Sequence, residues 1–467
     1  MEQSRSKYLF KNTAIFTIGN LATKIISFFL IPLYTNVLTT SEYGTVDLVA
    51  TVATVAIPIL TLNIMESVMR FNLDKDADKD KITKVGIVIL FAALVFGSIL
   101  IPITDSFSVL SGMGVYVYFY CITSAASQIF LCDLRGKELL VQYSLGNVIN
   151  TLLIAIFNIV FLIGLKMGIC GYLLAYILAN LSVFFYSLFV GKGYKAIRAE
   201  IDKKKMREML KYSVVLIPNS FMWWIMNSSD HLMITSMIGV SANGIYAISY
   251  KLPTLISTFT GIFNQAWSYS AIKEDAAEDI SDYTNQVFKS MIGIIMLIGL
   301  GIMTFIKPFL KIYVSADYYI AWKYTPFLTM GCVYLTLASF MSTSYTVHKD
   351  SKGFLLSGSF GAALNIFLNW ILIPIIGVYG AALATCISYI AVFIFRLFHT
   401  RKYMTYKVLT REFIIGSIGL LCSGLLMYLN SIFSQIVQFV LCILIIYVFR
   451  NIWLGFAKGI LNKVLGR

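Results

Sequence analysis

Apolar residues run through this chain in long blocks that are separated by short polar connections. Fourteen of these blocks are each long enough for a membrane-spanning helix, which needs about 20 residues. None shows the alternation of apolar and polar residues expected for the strands of a membrane barrel. The predicted spans are 12–36, 46–67, 85–103, 114–132, 143–165, 169–190, 212–237, 244–268, 288–306, 325–347, 354–375, 377–398, 412–429 and 434–454. The pattern therefore predicts an all-α polytopic membrane protein with about fourteen transmembrane helices.

The positions of the basic residues predict the orientation of these helices. Cytoplasmic loops of membrane proteins carry an excess of lysine and arginine. If the N-terminus is cytoplasmic, nearly all of the 37 lysine and arginine residues fall on its side of the membrane. The loops on the opposite side hold only Lys166, Lys307, Lys311 and Lys323. We therefore expect both termini to be cytoplasmic, and we attribute the net charge of +14 to topology rather than to nucleic-acid binding.

The second half of the chain weakly repeats the first half. The aligned residues are Lys11 with Lys211, Ile25 with Ile225, Thr35 with Thr235, Gly44 with Gly244, Gly168 with Gly377 and Gly171 with Gly380. Each copy would contain six spans, an even number, so both copies begin on the cytoplasmic side and form a parallel repeat. The predicted parts are an N-terminal six-helix bundle (1–200), a C-terminal six-helix bundle (201–400) and two additional transmembrane helices (401–467). Such a repeat predicts a substrate path between the two bundles.

Ionisable residues inside the predicted spans mark the candidate site. Such a residue costs about 2.5–3.5 kcal/mol on insertion scales, so it usually has a function. Lys24 lies at mid-depth of the first helix, and three ionisable residues lie close together in the seventh and eighth helices. The predicted substrate-binding residues are Lys24, Lys251, Asn20, Asn227, Tyr250 and Gln265. The predicted ion-coupling residues are Asp230 and His231, with a proton or a sodium ion as the coupling ion.

The candidate cavity is predicted to be basic. Lys24 and Lys251 outnumber the single carboxylate of Asp230, which favours an anionic substrate, and a lysine ammonium is a common phosphate partner. Asn365 and Asn369, on the eleventh predicted helix, are expected to form interhelical hydrogen bonds instead.

Composition and motifs exclude several other classes of protein. The chain is 58% hydrophobic and 13% charged, whereas a soluble domain is about 25% charged. No phosphate-binding motif of the G-x-x-x-x-G-K-[ST] type occurs, and neither a Ser-His-Asp nor an H-E-x-x-H arrangement is present. The three histidines are far apart and no His/Cys cluster has metal-binding spacing. We therefore expect a protein that is not an enzyme, without cofactor, metal, nucleotide or nucleic-acid partner.

Three stretches of the chain resemble a known family. They are P-N-S-F-M-W-W-I-M-N-S-S-D-H (218–231), G-V-S-A-N-G-I-Y-A-I-S-Y-K-L-P (239–253) and F-N-Q-A-W (263–267). The S-E-Y-G motif (41–44) and N-I-F-L-N-W-I-L-I-P-I-I-G-V-Y-G-A-A (365–382) are similar to it as well. The chain thus resembles the bacterial polysaccharide repeat-unit flippases, which transport O-antigen and capsule precursors. That family belongs to the multidrug/oligosaccharidyl-lipid/polysaccharide exporter superfamily.

The resemblance implies a two-bundle flippase of the bacterial cytoplasmic membrane. Its substrate would be an undecaprenyl-diphosphate-linked oligosaccharide, moved to the outer leaflet by alternating access. Lys24 and Lys251 match basic positions that attract the diphosphate in the family. One alternative is a multidrug or cation exporter of the same superfamily, in which acidic cavity residues are expected. A membrane glycan polymerase or ligase is a further alternative, but it would need a sizeable outer loop with catalytic groups.

Overall fold

A computed structural model describes residues 2–74, 76–273, 280–429 and 431–450 of the chain. These residues are helical apart from short connections, so the predicted all-α class is confirmed. The chain divides into two units, the first of which ends at Trp224 and the second of which begins at Ile225. The division falls inside one helix. The predicted parts 1–200, 201–400 and 401–467 remain a prediction from the repeat.

The first unit holds eight helices and the first part of a ninth among its described residues. They are α1 (Glu2–Val37), α2 (Thr40–Leu60), α3 (Ile64–Asn72), α4 (Lys79–Gly97), α5 (Leu100–Asp105), α6 (Gly114–Gly136), α7 (Leu140–Asn158), α8 (Gly168–Val190) and α9 (Lys203–Met237). A π-helical turn at Ile159–Gly164 continues α7, and 3₁₀ turns occur at Ser108–Leu110 and Gly193–Arg198.

The second unit holds the remainder of α9 and nine further helices among its described residues. They are α10 (Val240–Lys251), α11 (Pro253–Lys273), α12 (Ile280–Tyr313), α13 (Thr325–Met341), α14 (Thr343–Val347), α15 (Ser351–Ile376), α16 (Val378–His399), α17 (Arg411–Met427) and α18 (Ile432–Val448). Two 3₁₀ turns, Ala316–Lys323 and Thr400–Lys402, connect helices of this unit.

Every predicted span coincides with helix in the described residues, but some are divided. The span 46–67 is divided into α2 and α3 because Leu62 and Asn63 have positive φ angles of 50° and 52°, which end a right-handed helix. The span 244–268 is divided after α10 because Pro253 lacks the N–H that would continue the helix. Eight described helical segments are long and apolar enough to cross a membrane. The count of fourteen and the cytoplasmic position of both termini remain predictions.

A capping box begins α2. The N–H of Thr39 donates to Glu42 Oε2 at 2.9 Å, and the N–H of Glu42 donates to Thr39 Oγ1 at 3.2 Å. This reciprocal pair satisfies backbone donors that the first turn of a helix leaves without intrahelical partners. The S-E-Y-G motif therefore has a structural role at this helix start, since it supplies Glu42.

A buried ion pair connects the helix ends on the predicted cytoplasmic side of the first unit. Asp133 on α6 is 0% exposed, and it accepts hydrogen bonds from Lys137 Nζ at 2.6 Å, Asn72 Nδ2 at 2.9 Å and Thr83 Oγ1 at 2.5 Å. Lys137 Nζ also donates to the carbonyl of Gly191 at 2.9 Å. The carboxylate is thus compensated by one charge and two neutral donors, as a buried charge requires. The network links α3, α4, α6 and the end of α8.

Helices α17 and α18, predicted to lie outside the repeat, pack on α12 of the second unit. The buried amide of Gln438 on α18 donates to the carbonyl of Met303 at 3.0 Å and to Ser423 Oγ at 2.7 Å. Lys307 on α12 donates to the carbonyl of Met427, at the end of α17, and lies 3.8 Å from the centroid of the Trp322 ring. Hydrogen bonds of this kind join helices inside a bilayer, where no water competes for the donors.

Asp350 caps α15 on the predicted cytoplasmic side of the second unit. Its Oδ1 accepts the N–H of Gly353 at 2.9 Å, and its Oδ2 accepts Lys402 Nζ at 2.9 Å and the Tyr403 hydroxyl at 2.8 Å. These donors, with the lysine first, hold the pKa of the Asp350 carboxyl well below its ordinary value because they stabilise the ionised form.

Candidate functional site

A cluster of polar side chains lies buried among four helices of the second unit, and Asp230 is at its centre. Asp230, on α9, is 5% exposed. Its Oδ2 accepts a short hydrogen bond from the hydroxyl of Tyr246 on α10 and a longer one, 3.4 Å, from Thr385 Oγ1 on α16. Its Oδ1 accepts the N–H of His231 at 3.1 Å. The carboxylate therefore has donors from three helices and no described lysine or arginine within ion-pair distance.

The cluster extends from Thr385 to two asparagines on α15. Asn365 Nδ2 donates to Thr385 Oγ1 at 3.3 Å, and Asn365 Oδ1 accepts from Ser229 Oγ on α9 at 3.2 Å. Asn369, one turn further along α15, donates its Nδ2 to Asn365 Oδ1 at 3.0 Å. The prediction of interhelical hydrogen bonds is confirmed for Asn365. We call Ser229, Asp230, Tyr246, Asn365, Asn369 and Thr385 the Asp230 cluster.

Two tight helix hairpins bring the Asp230 cluster together. Gly239, with a φ of 132°, separates α9 from α10, and Gly377, with a φ of 61°, separates α15 from α16. Only glycine adopts such angles without steric cost. Because each connection is short, the helices run antiparallel, so Tyr246 returns to the level of Asp230 and Thr385 to that of Asn365. The G-V-S-A-N-G and I-I-G-V-Y-G motifs thus contain the glycines that form the two turns beside the site.

His231 lies beside the cluster without forming a described bond to Asp230 through its ring. Its Nδ1 is 2.9 Å from Asn243 Oδ1, and its ring centroid is 5.2 Å from that of Tyr246. The amide oxygen of Asn243 accepts a hydrogen bond, so His231 carries a proton on Nδ1 in this arrangement.

The predicted basic residues differ in their surroundings. Lys251 is the last residue of α10, where the helix dipole favours a cation, and its side chain is half-buried. No described carboxylate lies within ion-pair distance of Lys251. Lys24 and Asn20 lie on α1 of the first unit with exposed side chains. Tyr250 connects to the cluster: its hydroxyl is 2.9 Å from that of Tyr389, and its ring lies 6.2 Å from that of Tyr246.

The structure therefore brings Asp230, His231 and Tyr250 into one region of the second unit. The predicted residues Asn227 and Gln265 have side chains that lie outside the described part of the chain. Sequence reasoning missed Tyr246 and Thr385 as partners of Asp230. The sequence could have indicated Tyr246. If the chain turns back at Gly239 in the G-V-S-A-N-G-I-Y motif, Tyr246 on the second helix lies level with Asp230 on the first.

Arg396 is one of the cations that the predicted topology assigns to the cytoplasmic side, and the structure shows it to be buried. It lies in the last turn of α16 and is 4% exposed. Its Nε donates to Ser357 Oγ at 3.0 Å, and one terminal nitrogen donates to the carbonyl of Ala338 at 2.9 Å near the end of α13. The negative end of α13 partly compensates the guanidinium charge. Arg396 thus ties α13, α15 and α16 together.

Eight described helical segments with the length and apolar character of a membrane span indicate a multi-pass membrane protein. The fold is similar to that of the lipid II flippase MurJ in an inward closed conformation, with a TM-score of 0.64 and 17% identity over 97% of this chain and 100% of that one. It is also similar to an inward-facing multidrug resistance MATE family transporter of the MOP superfamily, with a TM-score of 0.61 and 14% identity over 87% of this chain and 95% of that one. A MATE transporter of Vibrio cholerae gives a TM-score of 0.56 at 11% identity, over 88% of this chain and 99% of that one.

The family follows from the sequence. The profile of the family described as "Polysaccharide biosynthesis protein" matches residues 9–269, more than half of the chain, so the protein belongs to that family. A membrane protein of Methanocaldococcus jannaschii, named as uncharacterized, is 27% identical over 263 residues, which is 51% of this chain and 60% of that relative. The chain thus matches three fifths of the length of this relative. The comparisons thus show the family, and a fold shared with a lipid II flippase and with MATE transporters.

Proposed function

We propose that this protein is a flippase that moves an undecaprenyl-diphosphate-linked oligosaccharide across the bacterial cytoplasmic membrane. The product would serve surface polysaccharide biosynthesis, such as that of O-antigen or capsule. The observation that carries the proposal is Lys251, a half-buried cation at a helix end with no carboxylate partner among the described residues. A cation inside a membrane helix is costly unless an anion or water meets it. A diphosphate is such an anion, and membership of the polysaccharide biosynthesis family supports a glycan as the group attached to it.

The proposed roles of the substrate-binding residues follow their chemistry. Lys24 and Lys251 attract the diphosphate as point charges. The side chains of Asn20, Asn227, Tyr250 and Gln265 offer hydrogen bonds to the sugar hydroxyls or to the phosphate oxygens. Transport by alternating access, with both termini in the cytoplasm, rests on the sequence repeat and on the distribution of charge.

We assign ion coupling to Asp230, with His231 beside it. A buried carboxylate that has only neutral donors can bind a proton or a sodium ion, and its charge then changes inside the bundle. The amide oxygen of Asn369 supports this role because it is buried and has no hydrogen-bond partner among the described residues. A cation bound near Asp230 would satisfy that acceptor. The energy for flipping would then come from an ion gradient or the membrane potential.

The alternative function is export of drugs or organic cations. The MATE transporters have the same fold, so the fold supports both functions equally. The two functions differ in the charge of the substrate. An exporter of cations would use Asp230 to bind its substrate, whereas the flippase would use the lysines.

The test is a flipping assay in proteoliposomes. A fluorescent undecaprenyl-diphosphate sugar is labelled on its headgroup, and an impermeant quencher reports the leaflet in which it lies. We expect flipping by the wild type, and a loss of at least tenfold in rate for Lys24→Ala and Lys251→Ala. Lys166→Ala, outside the proposed site, is the matched control and should flip at the wild-type rate. Equal rates for all four proteins would remove both lysines from the site.

A further inference from the structure

A cavity lies in the second unit, and none of its described lining residues belongs to the Asp230 cluster or to the proposed transport site. It has a volume of about 380 Å³ and lies where α11, α12 and α14 meet the segment 401–406. All of its walls belong to the side of the membrane that is predicted to be cytoplasmic. Ligand pockets have volumes of about 300–1,000 Å³, so this one is large enough for a small solute but not for an oligosaccharide.

The inner wall of the cavity carries hydroxyl groups without partners. Thr284 on α12 and Thr343 on α14 are 5% and 4% exposed, and among the described residues neither side chain has a hydrogen bond. Both residues line the cavity, so their hydroxyls are available to form hydrogen bonds with a polar occupant.

The rim of the cavity adds positive charge. Arg401 lies on the rim with its guanidinium 4.5 Å from the ring of Phe398, and no described carboxylate lies within ion-pair distance of it. The nearby carboxylates, Asp350 and Asp282, are each paired with a lysine, Lys402 and Lys407 respectively. The charge of Arg401 is thus not cancelled by the carboxylates that the structure describes next to the cavity.

Aromatic and imidazole rings complete the lining. The His348 ring stacks on Tyr403 with centroids 4.3 Å apart, and its Nδ1 donates to the carbonyl of Ser344 at 3.0 Å. Its Nε2 is a further polar group of the lining, because Nδ1 is the atom that bonds to the carbonyl of Ser344. Trp267 forms an apolar wall, stacked on Phe340 with centroids 5.1 Å apart.

We infer that this cavity binds a small phosphate ester. A planar guanidinium matches phosphate oxygens in a bidentate manner, the two threonine hydroxyls supply neutral hydrogen bonds, and the aromatic wall covers a small carbon skeleton. The same chemistry is offered by the glycerophosphate headgroup of an anionic lipid and by a soluble ester such as glycerol 3-phosphate. The site goes beyond the proposed transport function, since no residue of the flippase site takes part in it.

The test measures binding without transport, so it is independent of the flippase proposal. Purified protein in phosphatidylcholine nanodiscs is titrated with glycerol 3-phosphate while its thermal unfolding is followed. In a second arm, phosphatidylglycerol replaces part of the phosphatidylcholine and no soluble ester is added. We expect a saturable rise in unfolding temperature in at least one arm, and the arm identifies the source of the phosphate.

Matched variants decide whether the cavity is responsible. Arg401→Gln should weaken the apparent affinity at least tenfold, and Thr343→Val, which removes only a hydroxyl, should weaken it severalfold. Lys352→Gln removes the same charge from an exposed position outside the cavity and should bind as the wild type does. Without ligand, Thr343→Val should unfold at or above the wild-type temperature, which separates loss of binding from loss of fold.

Two results would overturn the inference. One is the absence of a saturable effect in both arms. The other is an equal loss of affinity in Arg401→Gln and Lys352→Gln, which would mean that surface charge alone attracts the phosphate.

Discussion

The replacement Asp230→Asn probes the proposed coupling between ion and substrate. It removes one buried negative charge but keeps the shape of the side chain. The amide oxygen can still accept one hydrogen bond, and the hydroxyls of Tyr246 and Thr385 can turn to accept from the new amide group. Hydrogen bonds to a charged acceptor contribute about 1.5–3 kcal/mol and neutral ones about 0.5–1.5 kcal/mol. We therefore expect a loss of about 1 kcal/mol in stability, too little to unfold the protein.

The effect on transport should be much larger than the effect on stability. One charge moving through 100 mV gains about 2.3 kcal/mol, and about 1.4 kcal/mol corresponds to a tenfold ratio, so one coupled ion can drive an asymmetry of up to about 50-fold between leaflets. With Asp230→Asn the asymmetry driven by a proton or sodium gradient should fall to one. Passive flipping toward equilibrium can persist, because the lysines that we propose attract the diphosphate are unchanged.

The assay uses proteoliposomes with an imposed proton gradient, sodium gradient or membrane potential, each in a separate sample. The asymmetry of a headgroup-labelled substrate at steady state is the readout. Asp282→Asn is the matched control, since it removes an exposed carboxylate of the same unit that pairs with Lys407. An Asp230→Asn protein that still builds the wild-type asymmetry under the same gradient would refute the role of this carboxylate.

Three further predictions concern stability, each measured by thermal unfolding in detergent. Lys137→Met leaves Asp133 as an uncompensated buried charge and should lower the stability by about 3–5 kcal/mol. Adding Asp133→Asn should restore stability. A double variant that is no more stable than Lys137→Met would argue against the ion pair as the cause. Gly136→Ala should lower the unfolding temperature clearly, because its Cβ would lie 2.6 Å from Asn72 Cβ and 2.8 Å from a backbone oxygen. Gly358→Ala, with nothing within 4 Å, should not lower it. The pKa of Asp350 is lowered in the folded protein. Its carboxylate therefore stabilises the fold fully above the unfolded pKa of about 3.9, and this stabilisation is lost as the pH falls through the folded pKa. The difference in unfolding temperature between the wild type and Asp350→Asn should be constant above about pH 5 and shrink below it.

The long apolar blocks were sufficient to predict helices, because a chain that crosses a bilayer must form all of its backbone hydrogen bonds within itself. They could not predict where those helices break. Leu62 and Asn63 both have positive φ angles, and of the two only asparagine is enriched in that region. The break at Pro253 was visible in the sequence as a proline, but the same residue type lies inside continuous helix at Pro218 and Pro374.

The candidate site shows the same limit. Asp230 was predicted from its charge alone, since an ionisable residue in an apolar block stands out. Tyr246 and Thr385 did not stand out, because tyrosine and threonine are common in such helices and only the three-dimensional arrangement gives them a partner. The distribution of basic residues assigns Arg396 to the cytoplasmic side, but it could not predict that packing buries the residue against α13 and α15. Sequence position gives depth along a helix, whereas burial depends on the neighbouring helices.

The central claim is that the chain flips a lipid-linked glycan and does not export cations. The most direct measurement places both substrates in the same proteoliposomes: a headgroup-labelled undecaprenyl-diphosphate oligosaccharide, read by an impermeant quencher, and a fluorescent organic cation, read by its uptake. The account predicts protein-dependent flipping of the glycan lipid, with no cation uptake above that of protein-free vesicles. Cation uptake without flipping of the glycan lipid would contradict it and would favour the exporter.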